Sequence, residues 1–142
     1  MLDPNITNFV DLLKYRATHT PNKTAYIFLE NGETEQSRIT YQQLHQQAQT
    51  TAAHLLTQAN PGDRALLLYP SGLDFITTFF ACLYAGIIAV PVYPPRRNQS
   101  LTRLQSITTD ATPTLALTTQ KILTDTQKSW EQNPLSPTLT WL

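Results

Sequence analysis

The chain has 142 residues, 41% of them hydrophobic, with ten acidic side chains against ten basic ones. That length and apolar share suit one globular domain, or a large piece of one, and exclude a disordered chain. A net charge of zero argues against nucleic acid as the main partner, because phosphate backbones are held by a basic excess or stripe.

The N-terminal "MLDPNITNFVDLL" has no basic region followed by an apolar run, so no signal peptide is read there. "NFVDLLKYRATHTP" reads as a helix, with Ile6, Phe9, Val10, Leu13 and Ala17 at helical spacing and Pro21 closing it. "KTAYIFLE", the turn signal "NGE" and "SRITY" then predict a two-stranded antiparallel ribbon. A second helix starts at "TYQQL", where Thr40 is a good N-cap and Gln43 completes a capping box. Its apolar face is Leu44, Ala48, Ala52, Leu55 and Leu56. "NPGD" stops it, and "RALLLYP" reads as a buried parallel strand.

Phe75 to Pro95, "FITTFFACLYAGIIAVPVYPP", carries no charge and is long enough to cross a bilayer if it were one helix. Its parts argue otherwise. "SGLD" looks like a second capping box, with Ser71 as cap and Asp74 three residues on. Ile76, Phe79, Phe80, Leu83 and Tyr84 form the apolar face of a helix of about 14 residues, which at 1.5 Å per residue is too short to span the ~30 Å hydrocarbon core. Gly86 stands where a helix C-terminus favours glycine, and the β-branched "IIAVPVY" reads as a second buried strand. Pro91 inside it predicts a bulge or a sheet edge. No stable membrane insertion is expected.

The alternation continues. "SLTRLQSITTDA" is a helix with Leu101, Leu104, Thr108 and Ala111 on one side, "PTLALTT" a third strand, "QKILTDTQKSWEQN" a helix and "SPTLTWL" the start of another strand. The expected fold class is α/β: a mostly parallel sheet with flanking helices, right-handed crossovers and a small N-terminal antiparallel ribbon. The ending on "TWL", without a polar tail, reads as a truncation.

Chemistry is sparse. No glycine-rich dinucleotide loop, P-loop or nucleophile elbow occurs. His45 and His54, nine residues apart, fall on opposite faces of one helix and cannot share a metal, while His19 stands alone. Cys82, the single cysteine, rules out an internal disulfide, fits a reducing compartment and reads as a buried inert thiol. The strand ends are more suggestive, because ligands of parallel sheets bind beyond the carboxyl ends of the strands. Tyr69-Pro70-Ser71-Gly72, Tyr93-Pro94-Pro95-Arg96-Arg97 and Thr118-Thr119 fall on that rim. Tyr69 and Tyr93 either line a pocket or simply pack there, and Arg96 and Arg97 either hold an anion or are solvated loop charges.

In order, these segments resemble a known family. "ITYQQLHQQA" resembles the first helix motif of the adenylate-forming ligases, and "CLYAGIIAVPVYPP" is specific to that superfamily. "PSGLDF" and "YPPRR" tilt the resemblance to the fatty acyl-AMP ligases, and it runs from about Asn8 to the chain's end. It implies activation of a fatty acid with ATP and magnesium as an acyl-adenylate, transfer to an acyl carrier protein, and a cytoplasmic location. It also implies that residues 1–142 are the incomplete N-terminal portion of the AMP-binding domain, because the phosphate-gripping loop, the nucleotide motifs and the C-terminal lysine all lie later in the family chain. The expectation is therefore no catalytic residue, no metal site and no cofactor bound by this portion. Tyr69, Ser71, Tyr93 and Arg96 are the substrate-binding candidates, and the remainder of the ligase is the partner. A self-standing α/β module that binds a lipid or a carrier protein is the alternative.

Overall fold

In a computed structural model, residues 3–95, 102–132 and 139–142 are described, the side chains of 127–132 left aside. Helix α1 (Phe9–His19) is capped by Asn8, whose side chain accepts the Asp11 N–H at 2.8 Å. Strands β1 (Thr24–Glu30) and β2 (Thr34–Thr40) form the ribbon, joined through Asn31 and Gly32 at φ 52° and 74°. Two central residues with positive φ make the hairpin turn whose twist matches its strands. The capping box of α2 (Tyr41–Leu55) forms as read: Thr40 Oγ1 accepts the Gln43 N–H at 3.2 Å, and Gln43 Oε1 accepts the Thr40 N–H at 2.9 Å. Leu44, Ala48, Ala52 and Leu55 are buried, but Leu56, expected beside them, is 45% exposed because the helix ends at Leu55.

Phe75 to Pro95 is helix, turn and strand. α3 spans Leu73–Ala85 and β4 spans Ile88–Val92. Gly86 ends α3 at φ 71°, a conformation that costs any side chain strain, and the Ile87 N–H closes the cap on the Cys82 carbonyl at 2.9 Å. Among the described residues no helix is long and apolar enough to cross a membrane.

Two details of α3 differ from the sequence reading. Ser71 is not its cap. Gly72 holds that position without a side-chain hydrogen bond. The helix starts one residue later than the motif suggests, so Asp74 is the second helical residue and cannot make the reciprocal bond of a capping box. The most buried face is also not the bulky one. Thr78, Ala81, Cys82 and Ala85 are buried, because small side chains let α3 approach the sheet and α2 closely. Leu73, Ile76, Phe80 and Tyr84 stay half-buried and pack towards Leu13, Ile39 and Leu44.

Strand β3 (Arg64–Leu68) pairs in parallel with β4 on one side and with β5 (Leu115–Thr118) on the other. With the two-residue β6 (Thr140–Trp141), the order is β4-β3-β5-β6. The sheet is parallel and β3 is internal, so its run is apolar on both faces. Ala65 and Leu67 meet α2 and α3, while Leu66 and Leu68 meet Leu104 of α4 (Thr102–Ala111) and Leu123 of α5 (Gln120–Gln132). This division follows from handedness. β3 to β4 steps one way along the sheet and β4 to β5 steps back, so right-handed crossovers put α3 and α4 on opposite faces. Pro91 lies on β4, the sheet's edge, and the register from Arg64↔Ile88 to Leu68↔Val92 runs without a bulge.

Candidate functional site

The chain leaves β3 towards β4 and leaves β5 towards β6, in opposite directions and over opposite faces. Between the carboxyl ends of β3 and β5 the strand order therefore reverses, and an open parallel sheet has a crevice at such a point. A cavity of about 650 Å³ lies there. Its floor is Tyr69, directly after β3, with Thr118 and Thr119 at the end of β5. Thr118 Oγ1 ties the two strand ends together by donating to the Leu68 carbonyl at 2.7 Å. Thr119 Oγ1 accepts the Ile122 N–H at 3.2 Å and so starts α5 at the rim.

The walls come from two helices. Gln46, Gln47, Thr50 and Thr51 are the polar face of α2, and Asp74, Thr77 and Thr78 belong to α3. Thr77 Oγ1 and Gln47 Oε1 approach to 3.4 Å, linking the walls. Thr78 hydrogen-bonds Tyr69. Burial pushes the Tyr69 phenol up from its ordinary value of 10.0; the bond to Thr78 acts against that, and the Asp74 charge adds to it. Tyr69 is thus a neutral hydrogen-bonding group at neutral pH. Asp74 is the carboxylate of the lining, and among the described residues no lysine or arginine lines the crevice beside it.

Of the residues singled out in the sequence, Tyr69 and Thr118-Thr119 meet in this crevice. Ser71 is exposed on the bend before α3, outside the lining. Tyr93 is 87% exposed and also outside it. Arg96 and Arg97 lie outside the described residues. The α2 wall was missed: Gln46, Gln47, Thr50 and Thr51 recur at helical spacing, but a polar helix face reads as a solvated one until the sheet beside it is known. His45 and His54 do not come together; His45 Nδ1 contacts the Tyr84 hydroxyl at 2.8 Å and His54 is exposed. Cys82 is fully buried and its thiol is pushed up to about 12 by burial, far from a reactive thiolate at neutral pH.

A family profile described as AMP-binding enzyme matches residues 13–141. The chain belongs to the AMP-binding enzyme family. Among its relatives, the medium-chain-fatty-acid–acyl-carrier-protein ligase JamA of Moorena producens is 42% identical over 121 residues, 83% of this chain and 20% of that protein. The 4-hydroxyphenylalkanoate adenylyltransferase of Mycobacterium tuberculosis is 35% identical over 122 residues, 82% of this chain and 19% of that protein. Among solved structures, the fatty acyl-adenylate ligase of L. pneumophila, determined with acyl adenylate and pyrophosphate, superposes with a TM-score of 0.79 at 40% identity. That match covers 94% of this chain and 22% of the other. This member of the AMP-binding family thus spans about a fifth of the length of the curated relatives it matches.

The family is ATP-dependent, which sets a test for the crevice. A triphosphate needs cations or a row of backbone donors. Among the described residues its lining side chains are neutral amides and hydroxyls and one carboxylate, which repels an anion. Among the described residues no three His, Cys, Asp or Glu side chains are grouped to hold a metal ion. These side chains do not fit the nucleotide's phosphates.

Proposed function

We propose that this chain is the N-terminal portion of the AMP-binding domain of a cytoplasmic fatty acyl-AMP ligase. The whole enzyme activates a fatty acid with ATP and magnesium as an acyl-adenylate and passes the acyl group to an acyl carrier protein. This portion is inactive alone. The observation that carries the reading is the match to the fatty acyl-adenylate ligase of L. pneumophila across 94% of this chain, in sequence and fold together. The similarity to an acyl-carrier-protein ligase supports the choice of acceptor.

Tyr69 contributes from the crevice, as a neutral donor beside the bound substrate. Ser71 and Tyr93 stand exposed at the carboxyl end of the same sheet, where the remainder of the ligase completes the site. Arg96 holds the acyl carboxylate.

The test is fatty-acid-dependent exchange between ATP and pyrophosphate. The purified 142-residue chain is expected to show none, and adding the remaining portion of the ligase as a separate chain is expected to restore it. In the restored system Arg96→Ala lowers turnover more than Lys121→Ala, because Lys121 lies outside the crevice lining. Clear exchange by the chain alone overturns the reading, and equal effects of the two substitutions remove the role of Arg96.

A further inference from the structure

We propose that a groove between α1, β1 and α3 is a second small-molecule site, one that takes a fatty acid as its carboxylate. The groove encloses about 400 Å³, within the range of roughly 300–1,000 Å³ usual for such sites. Phe9, Phe75 and Phe79 supply its apolar surface, and Arg16, Tyr26 and Tyr41 stand among them. None of these belongs to the polar crevice at the strand ends, so the inference goes beyond the ligase reading and does not depend on it.

Three observations select the occupant. The first is uncovered aromatic surface: Phe9 is 64% exposed and Tyr26 39%. An alkyl chain laid along these rings removes that area from water. The second is an uncommitted cation. Arg16 is half-buried at the groove, and its guanidinium has no ion pair or hydrogen bond among the described residues. A guanidinium fits a carboxylate with two parallel N–H bonds. The third is that among the described residues no acidic side chain lines the groove to repel an anion. The Tyr26 and Tyr41 hydroxyls also have no partner among the described residues and are free to donate. An apolar wall, a spare cation and spare phenols together match an alkyl chain that ends in a carboxylate.

The test is calorimetric titration of the 142-residue chain with octanoate, decanoate and dodecanoate, with NMR to locate the ligand. The expected result is one saturable site whose affinity rises about threefold to fourfold per added methylene, with shifts at Phe9, Tyr26 and Tyr41. Arg16→Gln should weaken dodecanoate about tenfold and leave dodecanol unchanged. Phe9→Ser, at an exposed position that the fold does not need, should weaken both. The proposal is overturned by no saturable binding below the micelle-forming concentration, by shifts at Thr50, Tyr69 and Thr118 instead, or by an Arg16→Gln variant that binds dodecanoate as the parent does. A dimer that buries the groove and resists fatty acid in sedimentation also overturns it. Exchange activity with the supplied ligase portion can succeed where this titration fails, and the reverse, so the two readings fall separately.

Discussion

In β3 and β5, Ala65 to Leu68, Leu115 and Ala116 are all fully buried, whereas β1 contains no buried side chain and α1 buries only Leu13. The helix and ribbon reach the rest through α2 and α3, around a small cluster of Leu13, Ile39 and Leu44 with half-buried neighbours from α3. The difference teaches where the fold's stability is stored. The parallel sheet carries a core on both faces, while the helix and ribbon are a lightly attached cover. The two cavities divide in the same way: the polar crevice is built on the deep part, and the apolar groove lies under the cover.

The strongest way to break this comparison is to delete volume from each side. Leu67→Ala, at a site with no exposure, should cost roughly 2–5 kcal/mol in urea unfolding and destabilise the whole molecule. Leu13→Ala removes the same atoms from the cover, so part of its effect should be local. The expected signature is a smaller loss of global stability, with faster amide exchange confined to α1 and the ribbon. Equal losses, with exchange raised everywhere, would mean that cover and sheet open as one unit. A milder probe sits at the junction. Thr40→Ala removes half of the α2 capping box and should lower stability by about 1 kcal/mol, mostly by fraying the start of α2.

The smallest effect is a pH dependence. His45 contacts Tyr84, and Lys14 lies 5.6 Å from the centre of that ring. Partial burial, with Lys14 adding to it, holds the imidazole below its ordinary value of 6.5. The unfolded chain therefore binds the proton more readily, so this contribution is intact above that value and is lost as pH falls through it. Thermal melts between about pH 7.5 and 5.5 should show a slight fall that His45→Gln reduces. A fall of the same size in the variant would assign the slope to other groups.

The elements were legible because their signals are local. Thr40 with Gln43, Asn31-Gly32 and Gly86 each fix a cap or turn through their own backbone and side chain. Ser71 misled because a capping motif is a spacing, and a helix that starts one residue later changes which position Asp74 fills. The bulky face of α3 misled for a different reason. Sequence shows which residues are apolar, but Thr78, Ala81 and Cys82 are innermost because of how closely the helix must approach the sheet. The site was half legible. Tyr69 and Thr118 follow from the strand-end rule, whereas Gln47 and Thr50 enter only because α2 lies beside the switch in strand order.

The turns on either side of β3 and α3 have a consequence for the order of assembly. The Gly62 N–H donates to the Gly86 carbonyl at 2.8 Å, and the Ile88 N–H to the Asp63 carbonyl at 2.8 Å. These bonds latch the start of β3 to the end of α3, so strand, helix and strand close on themselves before any later part of the chain is needed. Leu66 lies about twice as far along the chain from its β5 partner Ala116 as from its β4 partner Val90, and each doubling of a loop adds roughly 0.6 kcal/mol to its closure. The latched unit is therefore the expected nucleus of folding. Truncating Val90 should slow refolding, whereas changing Thr140 on β6, the last strand to join, should mainly speed unfolding.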